Sequence, residues 1–186
     1  MTNIVEHLEK FSGQIAEGWS KDADGNSMPF QVVRTESGPI EGSVTFATLG
    51  LSNHPLKSTL SNKIIRQELI MLFRADAVPS NIVGIIQQAG LEAITRGHAY
   101  LRGEVIGPRG ALFPSFEPKA LYVTIPVYFP DEFTSVSTEK IGDVIFAWLV
   151  PMLDDEVRFE AEHGWEKFED RLAIVDPDLY DYTRAT

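Results

Sequence analysis

Residues Thr45–Leu56, TFATLGLSNHPL, hold a strand that stops abruptly and passes into a polar turn. The Val, Thr and Phe residues of Ser43–Leu49 favour a strand. Gly50 permits a positive φ, and Pro55 prevents the strand ladder from continuing. We interpret the turn first as a strand terminator in which His54 satisfies local polar groups, and alternatively as a binding or regulatory loop.

The chain before this stretch predicts a helix and a further strand. Apolar residues recur at spacings of four, three and four over residues 3–17, and Asn3 with Glu6 forms a capping pair at their start. Met28–Glu36 is rich in residues that favour strands, and a Ser-Gly-Pro bend joins it to the strand quoted above. We therefore expect an amphipathic helix on a core, followed by two paired strands.

The chain after this stretch predicts a strand and a second helix. Ile64–Arg74 places most apolar residues on one parity, whereas Arg66, Glu68 and Arg74 fall on the other, which predicts a strand with one face in solvent. A helix is the rival interpretation, because Leu, Glu and Arg also favour helices. Residues 79–97 show helical spacing, although two internal glycines weaken the pattern.

A long loop and two apolar strands follow. Gly103–Pro118 contains three Gly and three Pro residues, which predicts an ordered loop with little regular structure. Leu121–Phe129 and Asp143–Val150 are apolar enough for strands buried on at least one face. Pro126 predicts that the first of these lies at a sheet edge or carries a bulge.

The C-terminal fifth of the chain predicts one amphipathic helix with an acidic outer face. Its apolar stripe steps by four, four, three and four residues through Val157, Ala161, Trp165, Phe168 and Leu172. Residues 151–186 hold 11 acidic and 4 basic residues, so they supply −7 of the net charge of −11. Residues 176–186 are interpreted as an acidic tail.

These elements predict one α+β domain over residues 1–186, with a core at about 28–175 and a mainly antiparallel sheet packed with helices. No apolar run approaches the roughly 18 residues of a membrane helix, and the N-terminus lacks a signal peptide pattern. We therefore expect a cytoplasmic protein with no membrane partner. The net charge of −11 disfavours direct contact with nucleic acid, and the lack of Cys excludes disulfides and thiolate metal sites.

The sequence offers no strong catalytic or metal-binding pattern. None of His7, His54, His98 and His163 has the His-Glu-x-x-His spacing of zinc sites. Glu160 with His163 is a single copy of a di-iron fragment that needs two, so we interpret it as a solvated helix face. The adjacent carboxylates of Asp154 and Asp155 do not face each other on a helix and are expected to compensate its dipole.

The glycines near Arg102 and Arg109 form only a weak anion-binding pattern, because no helix start is predicted behind them. The glycines are Gly103, Gly107 and Gly110. Neither a phosphate-binding loop nor a nucleophile elbow is present. We expect no catalytic site, no cofactor and no metal.

Thr45–Leu56 and five further segments together carry a resemblance to a known family. The five are Arg66-Gln67-Glu68-Leu69, Leu101–Pro108, Leu121–Pro126, Trp148–Pro151 and Gly164–Phe168. In this order the segments resemble the suppressor of fused domain family in its small bacterial form, over about residues 28–175. The residues that carry the resemblance are Thr48, Leu49, Gly50, Leu51, Ser52, His54, Pro55, Glu68, Gly103, Gly107, Trp148 and Pro151.

The resemblance implies a binding protein without enzymatic activity. Small bacterial relatives resemble immunity proteins, the antitoxins that neutralise secreted polymorphic toxins of the producing cell, often nucleases. The second domain of the animal members is absent, so their role with transcription factors is not carried over. No toxin-contact residue is implied, because each toxin and antitoxin pair has its own interface.

An acidic protein is attracted to the basic surface that a nuclease presents to its substrate. We expect the acidic face of the last helix to bind such a toxin through Asp154, Asp155, Glu160, Glu162, Glu166 and Glu169. The alternative is an intracellular scaffold that sequesters an endogenous regulatory protein or peptide by pairing it with a sheet edge. A third hypothesis is a hydrolase that uses His54 or His98 with a carboxylate.

Overall fold

The computed structural model describes residues 3–114, 116 and 118–184. The strands are β1 Ile15–Lys21, β2 Ser27–Thr35, β3 Ser43–Leu49, β4 Leu56–Lys57, β5 Ile64–Ile65, β6 Gln67–Arg74, β7 Val105–Ile106, β8 Ala120–Thr124, β9 Ser135–Thr138 and β10 Gly142–Met152. The helices are α1 Ile4–Ser12, α2 Ile82–Arg96, α3 Asp154–His163 and α4 Trp165–Val175. No helix in the described ranges has the length and apolar character that a membrane span requires.

One mixed sheet organises the molecule. Its strand order is β1-β2-β3-β6-β10-β8-β7, with β9 paired to β10, while β4 and β5 form a separate small sheet. Neighbouring strands are antiparallel except β6 and β10, which are parallel. The predicted α+β class with a mainly antiparallel sheet is therefore confirmed.

Both faces of the sheet are buried, and each supports its own hydrophobic core. Helix α2 covers one face, where Ile86 and Ala93 pack with Leu69, Met71 and Phe73 of β6. Helices α1 and α4 cover the other face, where buried side chains include Leu8, Phe168 and the alternate β6 residues. Three layers result, with β6 and β10 at the centre of the middle one.

The prediction of a solvent-exposed face on the strand at 64–74 is wrong. Ile70 and Leu72 are buried in the second core, and Glu68 is 0% exposed. Ile64 and Arg74 at the ends are exposed and Ile65 and Arg66 are half-buried, whereas residues 67–73 are buried. A strand covered on two sides hides its polar residues by hydrogen bonding them, so parity alone does not reveal which face meets water.

The first predicted helix is confirmed at its start and wrong at its end. The Asn3 side chain accepts from the Glu6 amide and the Glu6 side chain accepts from Asn3, which completes the capping box. The helix stops at Ser12 because Gly13 adopts a φ of 74°. Ile15, which has helical spacing, instead begins β1, an edge strand that the sequence analysis did not predict.

The predicted strands at 28–36, 43–49 and 143–150 correspond to β2, β3 and β10, and the helix at 79–97 corresponds to α2. The strand at 121–129 is shorter than predicted, because β8 ends at Thr124 and leaves Pro126 outside it. Since β7 pairs with β8 at Val105 and Ile106, Pro126 does not mark an edge strand. The predicted edge is therefore wrong.

The single C-terminal helix of the prediction is two helices. Gly164, with a φ of 82°, ends α3 and precedes α4. As a result the predicted stripe is broken, and Ala161 and Trp165 are exposed while Phe168 is buried. An acidic helix whose stripe crosses a glycine can bend there and pack its two halves against each other.

The segment predicted as an acidic tail is packed against the core over residues 176–184. Leu179 joins the core under α4, whereas Tyr182 joins the core under α2 and contacts Phe113 edge to face. The Arg184 guanidinium donates to the buried Glu156 carboxylate at 2.7 Å and to the Pro151 carbonyl at 2.8 Å. The last two residues of the predicted tail lie outside the described residues.

Candidate functional site

The turn that follows β3 is built around the buried carboxylate of Glu68. This carboxylate accepts hydrogen bonds from the hydroxyl of Thr48 at 2.5 Å and from the amide of Gly50 at 2.9 Å. It also accepts from the amide and the hydroxyl of Ser52, at 3.2 and 2.6 Å. Gly50 turns the chain with a φ of 100°, which delivers these donors to one point.

The surroundings of Glu68 act on its charge in opposite directions. Burial penalises the charged form, and the hydrogen bonds from Ser52, Thr48 and Gly50 favour it; burial prevails and raises the pKa of Glu68. On the outer side of the turn, Arg66 donates to the Ser52 carbonyl at 2.8 Å. The turn is therefore held from within by a carboxylate and from outside by a guanidinium.

His54 does not take the role that the strand-terminator interpretation gave it. Its Nε2 lies 3.5 Å from the Pro29 carbonyl, at the limit of a hydrogen bond. The groups of the turn are instead satisfied by Glu68 and Arg66. The turn ends the strand as that interpretation expects, but with Glu68 and Arg66 in place of His54. The motif residues Thr48, Gly50 and Ser52 stabilise the turn.

Gln67, next to Glu68, points toward the opposite core and fixes a second loop. Its side-chain amide donates to the Tyr100 carbonyl at 3.1 Å, and its side-chain oxygen accepts from the Tyr100 amide at 2.8 Å. The pair imitates a strand contact and holds the chain just before Leu101–Pro108. Gln67 belongs to one of the family segments, but its local sequence does not predict this role.

A second cluster joins that loop to α4. The Arg102 guanidinium donates to both carboxylate oxygens of Glu169, with its Nε 3.0 Å from Oε1, and lies 5.5 Å from the Trp165 ring. The Tyr122 hydroxyl and the Thr124 hydroxyl also donate to Glu169, at 3.0 and 3.1 Å. Two of the family segments, Leu101–Pro108 and Gly164–Phe168, are therefore in direct contact.

Gly103 is required at this contact. It has a φ of 91°, and a Cβ on it would lie 2.5 Å from Cγ of Trp165. No side chain fits between this backbone and the indole. The Trp165 indole thus packs directly on the backbone of Gly103, and the guanidinium of Arg102 stacks on the same ring.

The charges of this cluster stabilise one another. Burial opposes ionisation of Glu169, but the hydrogen bonds from Arg102, Tyr122 and Thr124 outweigh it and lower the pKa of Glu169. Burial and the negative charge of Glu169 raise the pKa of Tyr122. Arg102 and Glu169 therefore remain a charged pair, and the tyrosine remains a hydrogen-bond donor.

A cavity of about 250 Å³ opens beside this cluster. It lies between the end of α4, the chain after β8 and the segment that follows α4. Apolar side chains form most of its wall, and the wall also includes Asp176 and the polar groups of the cluster. The apolar and aromatic residues are Tyr122, Val127, Tyr128, Leu172, Ala173 and Leu179.

The structure divides the acidic residues of the predicted binding face. Asp154 pairs with Lys119 at 2.8 Å, Asp155 pairs with Arg171 at 3.1 Å, and Glu169 pairs with Arg102. Within the described ranges, Glu160, Glu162 and Glu166 have no ion-pair partner. Three of the six carboxylates therefore form ion pairs within the chain. Of the other three, Glu160 and Glu162 lie on α3 and Glu166 lies on α4.

The weak candidates of the sequence analysis are also placed. Arg109 pairs with Glu92 at 2.6 Å, and a Cβ on Gly107 would lie 2.9 Å from the Lys119 carbonyl, so the glycine loop packs closely against its neighbours. His163 lies with its Nδ1 3.1 Å from the Phe159 carbonyl. Over residues 3–114, 116 and 118–184, no group of three His, Asp or Glu side chains is arranged to hold a metal ion.

Trp148 and Pro151 lie inside β10, whose last residue is Met152. Trp148 is fully buried and packs against the Tyr128 ring at 5.1 Å. The Pro151 carbonyl accepts from Arg184, so this junction anchors the C-terminal segment as well as α3. No local sequence pattern indicates the roles of Gln67, Tyr122, Tyr128 and Arg184, because these roles depend on contacts between distant segments.

A family model described as Suppressor of fused protein (SUFU) matches residues 26–185. No curated protein matches the chain. A SUFU homolog from Neisseria gonorrhoeae has a similar structure, with a TM-score of 0.69 at 18% identity over 97% of this chain and 92% of that chain. The Sufu-Fu complex gives a TM-score of 0.67 at 14% identity, over 91% and 82%.

Drosophila Suppressor of Fused is similar over a smaller share of its length. Its structure matches with a TM-score of 0.69 at 15% identity, and the match covers 98% of this chain and 50% of that chain. This chain therefore spans half of the Drosophila chain. At these identities the structural likeness shows a shared fold.

Proposed function

The chain belongs to the Suppressor of fused (SUFU) family, and from that membership we propose that it acts by binding another protein. The protein it binds is a secreted toxin of the producing cell, and binding in the cytoplasm neutralises that toxin. The chain is thus an immunity protein. Its partner is basic, and a nuclease fits this description best.

The proposal rests on one observation: the family residues fix the conformation of two segments of the chain. Glu68 holds the turn at Gly50–Ser52, and Gly103 seats Trp165 against the loop. These residues give defined positions to two segments, Thr48–Pro55 and Leu101–Pro108, which reach the surface at Asn53, Pro55 and Arg102. Rigid surface segments suit recognition of a partner, because little conformational entropy is lost when they bind.

The charge of the chain supports a basic partner. A nuclease presents positive charge to phosphate, and a protein with a net charge of −11 is attracted to that surface. Attraction of this kind raises association rates by a factor on the order of 10 to 10³ at low salt. Fast capture matters for an inhibitor that must reach the toxin before the toxin reaches its substrate.

Growth rescue tests the proposal. Each flanking gene that encodes an export domain with a toxic C-terminal region is expressed in a susceptible host, with and without this chain. We expect growth to be restored only when the chain is present, and we expect the toxin and the chain to copurify. Lack of rescue against every flanking toxin, or the lack of any flanking toxin, would contradict the proposal. An unrelated acidic protein of similar charge serves as the control.

The second candidate is a scaffold that sequesters an endogenous regulatory protein or peptide. The observation in its favour is the similarity to the chain in the Sufu-Fu complex, in which a SUFU protein is bound to Fu. Affinity capture from the native cell separates the two candidates. Recovery of a secreted toxin favours immunity, whereas recovery of a regulatory protein with no toxic activity favours the scaffold.

A further inference from the structure

The cavity beside Glu169 can admit one large side chain. Its volume of about 250 Å³ lies below the roughly 300–1,000 Å³ of pockets that enclose small molecules. Its wall is mainly apolar, from Leu172 and Ala173 of α4 on one side to Val127 and Tyr128 on the other. A hydrophobic side chain of a partner can therefore fill it.

The rim of the cavity extends its apolar surface outward. Val127, which lines the cavity and lies in the short segment after β8, is 55% exposed. Apolar residues around a concave site exclude water from the contact that forms there. This arrangement is typical of the energetic centre of a protein interface.

The charges at the rim determine which charge is favoured in the partner next to that side chain. Asp176 and Asp178 are exposed on both sides of Pro177, and neither carboxylate has an ion-pair partner among the described residues. Burial and the charges of Asp178 and Asp176 raise the pKa of Tyr128 in the cavity wall, so their negative field reaches the cavity. Arg102, the nearby cation, is already paired with Glu169.

We propose that this cavity is a docking pocket for one aromatic or large aliphatic side chain of the partner protein, next to a lysine or arginine that meets Asp176 and Asp178. The proposal rests on the proposed binding of a protein partner and adds the place and the chemistry of an anchoring contact. A neighbouring acidic residue in the partner is repelled by the same rim. The pocket thus selects an apolar residue with a basic neighbour.

Three blocked dipeptides test the pocket without the partner protein. The probes are acetyl-Phe-Arg-amide, acetyl-Phe-Glu-amide and acetyl-Ala-Arg-amide, each titrated at up to 10 mM into the labelled full chain and followed by NMR chemical shifts. We expect the Phe-Arg probe to shift the signals of Val127, Tyr128, Leu172 and Ala173. Its affinity is expected to exceed that of the other two probes by about fivefold.

Two variants locate the contact and separate its parts. Ala173→Leu fills the cavity from an exposed helix position and should abolish the Phe-Arg shifts, whereas Ile174→Ala, one residue further and 84% exposed in the native chain, should leave them unchanged. The double variant Asp176→Asn with Asp178→Asn should lower the affinity for the Phe-Arg probe, so that this variant binds the Phe-Arg and Phe-Glu probes equally. Asparagine suits the φ of 50° at position 176.

Several outcomes would overturn the pocket. They are the absence of shifts with the Phe-Arg probe, equal affinity for the three probes, and shifts that persist in Ala173→Leu. Because these measurements use no toxin, they remain valid if growth rescue fails. Growth rescue with an unaffected Ala173→Leu variant would support immunity and remove the pocket from the interface.

Discussion

Glu68 shows how a single buried residue determines the form of a surface turn. Its two oxygens satisfy donors from Thr48, Gly50 and Ser52, which lie 16 to 20 residues away in sequence. A buried charge of this kind is costly unless it is fully hydrogen-bonded. The turn keeps its shape because the carboxylate and its donors each lose their partners if the turn opens.

We expect the pH dependence of stability to reveal the ionisation of Glu68. Because burial raises its pKa, the fold holds this proton more tightly than the unfolded chain does. Its contribution to the free energy of unfolding is therefore greatest below the unfolded pKa of about 4.5 and decreases as pH rises through the folded pKa. Relative to Glu68→Gln, which does not titrate, the native chain should lose stability over this range.

Urea unfolding of both chains between pH 4 and pH 8 measures this difference. It should change by about 1.4 kcal/mol for each unit by which the fold raises the pKa. Gln14→Asn, an exposed substitution that adds and removes no titrating group, is the control and should show a constant difference. A constant difference for Glu68→Gln as well would mean that the fold does not perturb this carboxyl.

Gly103 allows a direct comparison with a glycine that has the same conformation and no neighbour. Gly103 and Gly110 have φ values of 91° and 94°, but a Cβ would meet Trp165 only at Gly103. Both alanine substitutions incur backbone strain of about 1–2 kcal/mol. We expect Gly103→Ala to lose about 1–3 kcal/mol more than Gly110→Ala, since it also displaces the indole.

Thermal unfolding and tryptophan fluorescence check the result. Only Gly103→Ala should change the emission of the folded chain, because Trp165 must move. Equal losses of stability in the two variants would contradict the packing of Trp165 on Gly103.

At the scale of elements, sequence patterns located most of the sheet and failed where distant segments meet. Strand β3 and helix α2 were predictable because their local pattern and their surroundings agree. The edge strand β1 was missed because Ile15 continues a helical spacing across Gly13. The break at Gly164 was missed for a similar reason, since the apolar stripe continues through it while the backbone does not.

The candidate site was predictable only in part. The family segments contain Glu68, Gly103 and Trp165, so the sequence indicated which stretches matter. Their roles depend on a donor set from another strand, or on an indole from another helix, and no local pattern encodes these contacts. The packing of Tyr182 and Arg184 could not be predicted for the same reason, since an acidic segment with few apolar residues is typical of a tail.

Two glycines of α2 provide a prediction at the scale of a helix. Both are unfavourable in a helix, but a Cβ on Gly90 would lie 2.4 Å from the Phe30 ring, whereas a Cβ on Gly84 would meet nothing. Gly84→Ala should therefore stabilise the protein by about 0.5–1 kcal/mol. Gly90→Ala should destabilise it by about 1–3 kcal/mol, because Phe30 belongs to the core under α2.

Chemical denaturation measures both changes on the same scale. Stabilisation by Gly90→Ala would show that β2 and α2 are packed less closely than the structure indicates. A loss of stability in Gly84→Ala would mean that a Cβ at this position clashes with a group that the structure does not place there.

At the scale of the whole molecule, the carboxylates behind the net charge of −11 differ in whether they have a cationic partner. Asp154, Asp155 and Glu169 have cationic partners in the chain, and Glu160, Glu162 and Glu166 have none in its described part. The second group is therefore the part of the predicted acidic face that is available to a basic partner. We therefore propose that Glu160, Glu162 and Glu166 are the residues of this face that meet the partner.

Charge reversal of the two groups should have different effects. Converting Glu160, Glu162 and Glu166 to Lys should slow association with the toxin by about tenfold at low salt and flatten the salt dependence, with little change in stability. Converting Asp154, Asp155 and Glu169 to Lys should lower the unfolding temperature, because internal pairs become repulsive. Stopped-flow association and thermal unfolding measure these effects, and an unchanged association rate in the first variant would remove these three carboxylates from the interface.

The most direct measurement is a titration of the purified toxin's activity with the purified chain. We expect activity to fall linearly and to vanish at one equivalent of the chain, with a complex of both proteins eluting together from a sizing column. Undiminished activity at a large excess of the chain, with the two proteins eluting separately, would contradict the central claim that this protein works by occupying the surface of another.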